Sequence, residues 1–314
     1  MIILLVVLVL LGGLVLYAAV AYYLYQRVKP TEHACRDCAH PVISNHFALY
    51  YRELGVDRGN SPVVLVHGGP GHSSLSFKNS FNFLAESRRV IYYDQRGSGN
   101  SQTQPDPGAY TVEELVEELE TLRRDVIRTE RMVVSGHSFG GALAQRYALK
   151  YPEHVEKMIL IGSIRINNGM GSHFIWKWFG PALYSTAMGF PPADGQAADD
   201  WFTHSGDGEN AKRLFDPRQK HLLEDTGTLS FAPWREISLS IVGYDHRAEL
   251  SQLQTPTLCL FGAADSSFTG KPVVEELGSI LPNCTIVEFE KSGHWPFLEE
   301  PEKFQHVLTD FLTR

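Results

Sequence analysis

The first 26 residues of this 314-residue chain carry no charged side chain, and the whole chain has only four cysteines, no internal repeat and no low-complexity tract. Positive charge is also scarce. The net charge is −8, the pI is near 5.9, and no long basic run follows the N-terminus. Nucleic acid therefore finds no electrostatic footprint and is excluded as a partner. The absence of repeats and biased tracts rules out an array or a disordered polar chain. With 43% hydrophobic and 20% charged residues the chain reads as globular and folded. Its length allows one catalytic domain with an accessory segment.

The cysteines divide into two pairs. Cys259 and Cys284 fall in apolar, strand-like runs, where buried thiols are commonplace. The segment His33-Ala-Cys35-Arg-Asp-Cys38-Ala-His40 has the residue types of a tetrahedral zinc site. All four would-be ligands sit within eight residues of a linker, however, with no second half to fold around a metal. A local disulfide or free thiols is the favoured reading there, and no metal is expected.

What the N-terminus lacks in charge it has in apolar bulk, residues 2–16 being almost all Leu, Ile or Val. About 20 such residues at ~1.5 Å rise cross the hydrocarbon core of a bilayer. Tyr17, Tyr22, Tyr23 and Tyr25 cluster at the far end, where amphipathic rings favour the headgroup level, and Arg27 and Lys29 follow. Residues 1–26 are expected to be a single-pass membrane anchor. The competing reading is a cleaved signal peptide, with Ala19-Val20-Ala21 as its small-residue site. It lacks a basic n-region, and the apolar stretch is long. The positive-inside tendency places the remaining chain on the cytoplasmic side, on the strength of two charges.

Residues 27–45, with Pro30, Pro41 and mixed polar side chains, read as a linker. Short continuous apolar runs then recur at 63–66, 90–93, 132–134, 158–161, 258–261 and 285–289 and predict buried parallel strands. Between the second and third lies the capping box Thr111-Val-Glu-Glu114. Val112, Leu115, Leu119, Leu122 and Val126 follow it at spacings of three and four, which predicts a helix. Residues 142–150 and 301–312 read as helices too. Such alternation builds an α/β fold whose mostly parallel sheet has helices on both faces. The rhythm lapses over 166–247, where Trp176, Trp178, Trp201 and Trp234 stand among Phe, Pro and Gly. A core of 46–165 and 248–314 would leave that insert above the C-terminal strand ends, where ligands bind. It is read as a cap, with a packing module of no role in binding as the alternative.

Gly136-His-Ser138-Phe-Gly140 lies between a predicted strand and a predicted helix that starts near Ala142. That is the context of a nucleophile elbow, a strained turn flanked by glycines so that the backbone can double back. A serine hydroxyl needs a base to take its proton and an acid to orient the base, in the chain order Ser, acid, His for this fold. Gly262-Ala-Ala-Asp265 follows one strand, and Lys291-Ser-Gly-His294 follows the last. A lone histidine is more often structural, but three residues, each at its expected strand end and in the right order, make a triad: Ser138, Asp265 and His294. The oxyanion needs backbone N–H donors. Phe139 supplies one, and the glycines of His67-Gly68-Gly69-Pro-Gly71, after the first buried strand, supply the other. No cofactor is needed.

His67-Gly-Gly-Pro-Gly71 together with Asp94-Gln-Arg-Gly-Ser-Gly-Asn-Ser101 resembles the proline iminopeptidase branch of the α/β-hydrolases over residues 46–165 and 250–314. The resemblance implies the same triad and release of an N-terminal residue, often proline, from a small peptide. It also implies that Asp94 and Arg96 stiffen the loop beside the site. The elbow departs from that family's usual Gly-Gly-Ser followed by Trp or Tyr and is closer to esterases. In the insert, Phe231-Ala-Pro-Trp234-Arg-Glu236 is the nearest likeness to the family's amine-binding acid, which makes Glu236 a candidate for amine recognition beside a plain surface glutamate.

Three functions follow as expectations. The first is a membrane-anchored serine hydrolase acting as an aminopeptidase on small peptides. The second is a carboxylesterase or lipase acting on small acyl esters through the same acyl-enzyme. The third is a catalytically silent binding module, which relatives become by losing a triad member, and none is lost here. Epoxide hydrolases and dehalogenases of this fold use an aspartate nucleophile, which Ser138 excludes.

Overall fold

The computed structural model describes residues 2–314 apart from 32–33, 37–41, 45–46, 104–105, 165–172 and 267. A 25-residue helix, α1 (Ile2–Gln26), comes first. Two short strands follow, β1 (Val42–Ser44) and β2 (Phe47–Leu49), paired antiparallel. The expected linker therefore ends in a hairpin. Its preceding residues are tied down as well: Val28 is buried, and the Arg36 N–H donates to the Asn100 carbonyl at 2.8 Å. Cys35 is disulfide-bonded, so its sulfur is no thiolate open to zinc; His33, Cys38 and His40 lie outside the described residues.

The main sheet begins with β3 (Tyr51–Leu54), β4 (Val63–Val66) and β5 (Val90–Tyr93), followed by helix α2 (Val112–Thr121). Next come β6 (Met132–His137), helix α3 (Phe139–Lys150) and β7 (Val155–Ile161). The insert holds α4 (His173–Met188), α5 (Gly195–Lys212) and α6 (Phe231–Ser240). A short α7 (Arg247–Leu250) returns the chain to the sheet through β8 (Thr257–Gly262), α8 (Lys271–Ile280) and β9 (Cys284–Phe289). Helices α9 (Pro296–Glu299) and α10 (Pro301–Thr313) end it.

The seven strands lie in the order β3-β5-β4-β6-β7-β8-β9, all parallel except β3. All six expected strands are present and parallel, but β9, at the far edge of the sheet, is largely exposed rather than buried. Only β3 escaped the apolar-run criterion, because Tyr51-Arg-Glu-Leu54 is an edge strand with a half-exposed face. Side chains alternate between two cores. Val64 and Val66 pack with α2 and α3, whereas Val63 and Leu65 pack with Phe81, Phe304 and Leu308 on the other face. Each fully buried Val or Leu contributes about 1.5–3 kcal/mol by removal from water. The Thr111 hydroxyl caps α2 by accepting from the Glu114 N–H at 3.3 Å. The Glu114 carboxylate in turn accepts from Arg96 at 3.1 Å.

Strand order reverses between β4 and β6. The chain steps outward from β4 to β5, then crosses back to β6, so a crevice opens at the C-terminal ends of β4 and β6. Ligand sites of open α/β sheets form at such a switch point. Among the described residues of the insert the regular elements are all helices, joined by loops, a rhythm that its Pro, Gly and tryptophan content concealed in the sequence.

Candidate active site

Ser138 joins β6 to α3 with no spacer, three residues earlier than the expected helix start. Its backbone has φ +56° and ψ −120°, a conformation costing on the order of 1–3 kcal/mol for a residue with a Cβ. The turn is held by its neighbours. Ser138 N–H donates to the Ile161 carbonyl at 2.9 Å, and its carbonyl accepts from Gly141 N–H at 3.0 Å. A Cβ on Gly136 would lie 2.1 Å from the Gly140 carbonyl oxygen, and one on Gly140 only 2.0 Å from that of Val66. The flanking glycines are thus demanded by close approach of the backbone.

Asp265 follows β8 and His294 follows β9, and the two meet: His294 Nδ1–H donates to Asp265 Oδ2 at 2.8 Å. The second carboxylate oxygen accepts from the Ser266 N–H at 2.7 Å and the Thr269 hydroxyl at 2.9 Å, with Arg213 at 3.4 Å. Burial alone would raise the Asp265 pKa, but the His294 imidazole and the Arg213 guanidinium hold it well below the usual carboxylate range. His294 is itself pushed below its ordinary value, first by burial and then by Arg213, with Asp265 working the other way. A neutral imidazole with its proton on Nδ1 leaves Nε2 as a base. Ser138 and His294 line one cavity of about 120 Å³.

The rest of the first expected set gathers around Ser138. A Cβ on Gly68 would come within 2.9 Å of the Ser138 Cβ, so the loop after β4 runs directly beside the nucleophile. His67 fixes that loop: its Nδ1–H donates to the Gly68 carbonyl at 2.9 Å, and its Nε2 accepts from the Gln95 N–H at 3.0 Å. Burial drives the His67 pKa down to about 4, which keeps this neutral tautomer. Phe139 is the first residue of α3, so its N–H has no intrahelical acceptor and lies at the positive end of the helix.

Asp94 and Arg96 stand behind the site. Asp94 accepts from the Ser74 N–H at 2.7 Å and the Asn100 N–H at 2.8 Å, while Arg96 pairs with Glu118 at 3.0 Å. Both are buried, as loop-stiffening groups should be.

Glu236 does not join the cavity. It pairs with Arg235 at 2.6 Å, and Arg235 donates to the carbonyls of Tyr25, in the last turn of α1, and of Val28 just after it. The arginine that interrupts the motif thus claims the acid that follows it. Other carboxylates line a neighbouring cavity. The Ser138 cavity shares His72, Ser76, Asn210 and Trp295 with a wider one of about 490 Å³, whose wall carries Glu224 and Asp225. Three more groups have no role in the site on sequence grounds alone: Arg213, Trp234 in the cavity wall, and His137, whose Nε2 contacts the His294 carbonyl at 2.9 Å. His137 was visible only as an oddity of the elbow, and Arg213 had no local signal at all.

Comparison with known proteins agrees with this geometry at the level of fold. The profile of the alpha/beta hydrolase fold family matches residues 61–301. The proline iminopeptidase of Heyndrickxia coagulans is 26% identical over 280 residues, covering 83% of this chain and 94% of its own. Among solved structures, the enol-lactonase from Burkholderia xenovorans LB400 aligns with a TM-score of 0.68 at 22% identity, covering 86% of this chain and 98% of that one. The thermophilic esterase from Thermogutta terrifontis aligns at 0.65 with 25% identity, covering 85% and 93%.

Proposed function

The chain belongs to the α/β-hydrolase fold family, and on that premise we propose that it is a membrane-anchored serine hydrolase that removes N-terminal residues from small peptides. In this reading Ser138 is the nucleophile, His294 its general base and Asp265 the acid that orients the base. The observation that carries it is the 2.8 Å bond from His294 Nδ1 to Asp265, beside a cavity shared by His294 and Ser138. As Ser138 Oγ attacks the scissile carbonyl, its proton passes to His294 Nε2, and the imidazolium is stabilised by Asp265. The oxyanion is held by the N–H of Phe139 and by those of Gly68 and Gly69. The proton then goes to the leaving amine, and water releases the acyl group by the same steps. Donors fixed in advance at the oxyanion are worth about 3–4 kcal/mol each in such sites.

Peptide specificity is supported by Glu224 and Asp225 on the wider cavity, which outnumber the one lysine there, Lys220, and offer a free ammonium counter-charge, and by the iminopeptidase relatives. Ester hydrolysis is the second reading, favoured by Phe202, Trp234 and Trp295 lining the inner cavity. The anchoring rests on α1, whose residues Val7–Gln26 are long and apolar enough to cross a membrane. The deciding experiment sets prolyl and other aminoacyl amides against short and long acyl esters, with Ser138→Ala as the blank. Turnover of amides supports the peptidase. Turnover of esters alone removes the peptidase and leaves the hydrolase, and a folded protein whose Ser138 takes no fluorophosphonate label removes both.

A further inference from the structure

The N-terminal helix does not stand clear of the insert. Tyr22 stacks on Trp178 with ring centroids 4.4 Å apart, Tyr17 meets Phe190 at 5.9 Å, and the Tyr17 hydroxyl reaches Thr186 at 3.3 Å. Ala18 and Ala21 pack with Ala182 between these contacts, so α4 crosses α1 in the opposite direction through small residues. All of these α1 residues lie inside the apolar span Val7–Gln26. Tyr17 is nine residues from its Gln26 end, about 13 Å at ~1.5 Å per residue. Whatever packs there shares the depth of α1 in a bilayer whose hydrocarbon core is about 30 Å thick.

Helix α4 is built for that depth. The sixteen residues 178–193, the last eleven of α4 and the five after it, carry no charged side chain and are bounded by Lys177 and Asp194. Trp178, Phe179, Leu183 and Phe190 are exposed, Leu183 by 61%. The hydroxyls of Ser185 and Thr186 bond back to the carbonyls of Pro181 and Ala182 at 2.7 and 2.8 Å, which satisfies them without water. Small residues at the crossing allow the close approach that helix pairs use in lipid. Placing α4 in water instead would leave only residues 2–16 of α1 free to span, about 22 Å, too short for the hydrocarbon core.

We propose that α4 is a second membrane-embedded element, seated in the bilayer beside the C-terminal half of α1, so that the cap over Ser138 rests on lipid. The proposal depends on reading α1 as a membrane anchor. Arg235 then acts as the tie between the two parts, its guanidinium on the Tyr25 and Val28 carbonyls and its neighbour Trp234 in the wall of the Ser138 cavity.

The test uses the full chain in phosphatidylcholine vesicles, with an environment-sensitive fluorophore on one introduced cysteine at a time. The sites are Val9→Cys on α1, Leu183→Cys and Phe190→Cys on the cap, and Phe215→Cys as an exposed reference; the unsubstituted chain gives the background. Fluorophosphonate labelling of each variant establishes that it is folded. The expected result is quenching at Val9, Leu183 and Phe190 by nitroxide lipids, with iodide quenching about fivefold or more below that at Phe215. Lipid quenching at Val9 with iodide access at Leu183 and Phe190 equal to that at Phe215 overturns the proposal and leaves the anchor standing. Iodide access at Val9 and the two cap sites alike overturns both.

Discussion

The backbone N–H of His294 donates to the carbonyl oxygen of Arg213 at 2.8 Å, which ties the loop bearing the imidazole to the segment just after α5. Glu299 adds a second tie by accepting from the Phe215 N–H at 2.7 Å and the Gly293 N–H at 2.8 Å. The cap and the histidine loop are therefore one mechanical unit. The Arg213 guanidinium, on Thr269 at 2.9 Å and near Asp265, completes it from the other side.

Arg213→Gln removes a cation that disfavours the imidazolium of His294. The His294 pKa should then rise, and the acid limb of the kcat/KM profile should move to higher pH. A fall in kcat of about tenfold is expected as Asp265 loses a partner. An acid limb that stays in place in the variant would mean that the cap cation does not act on the imidazole.

Gly68→Ala places a methyl group 2.9 Å from the Ser138 Cβ and 3.1 Å from the His137 carbonyl oxygen, both rigid neighbours. The loop must move, and its amides move with it. Steady-state kinetics should show kcat lower by on the order of 100-fold with KM little changed. A drop in binding alone would argue against a role for this loop at the oxyanion.

Glu224→Gln and Asp225→Asn should raise KM for aminoacyl amides by about tenfold each while leaving small esters unaffected. The comparison of the two substrate classes on one enzyme separates amine recognition from a general loss of structure. Equal effects on both classes would point away from these acids as the amine site.

Acid should destabilise the fold through His67, whose pKa is pushed down to about 4 by burial. Between the unfolded value of about 6.5 and that native value the unfolded chain binds the extra proton, so stability falls as pH falls. The full contribution is about 3 kcal/mol, lost progressively across that window. Denaturant midpoints measured at several pH values from about 7 down to about 4.5 check the direction. A midpoint that rises on acidification would contradict it.

The parts of this protein legible in the sequence are those encoded by neighbouring residues. Four-residue apolar runs mark strands buried on both faces, and Gly136 and Gly140 mark a turn whose backbone leaves no room for a side chain. The spacing of Ser138, Asp265 and His294 at three strand ends is readable because the parallel sheet brings all such ends to one edge. The uncharged N-terminus likewise announces a helix that can cross a membrane.

Tertiary structure alone decided which side chains are claimed by distant partners. Glu236 read as a candidate for the substrate amine, but its neighbour Arg235 takes it, and Arg235 is itself held by the distant carbonyls of Tyr25 and Val28, some 200 residues away in sequence. Arg213 enters the site through Asp265, 52 residues on. Such pairings leave no local trace, because an ionic or hydrogen-bonding side chain has the same composition signal whether its partner is water, a substrate or another part of the chain. Only the packing of the cap onto the sheet removes water from these groups and so determines which partner each must take.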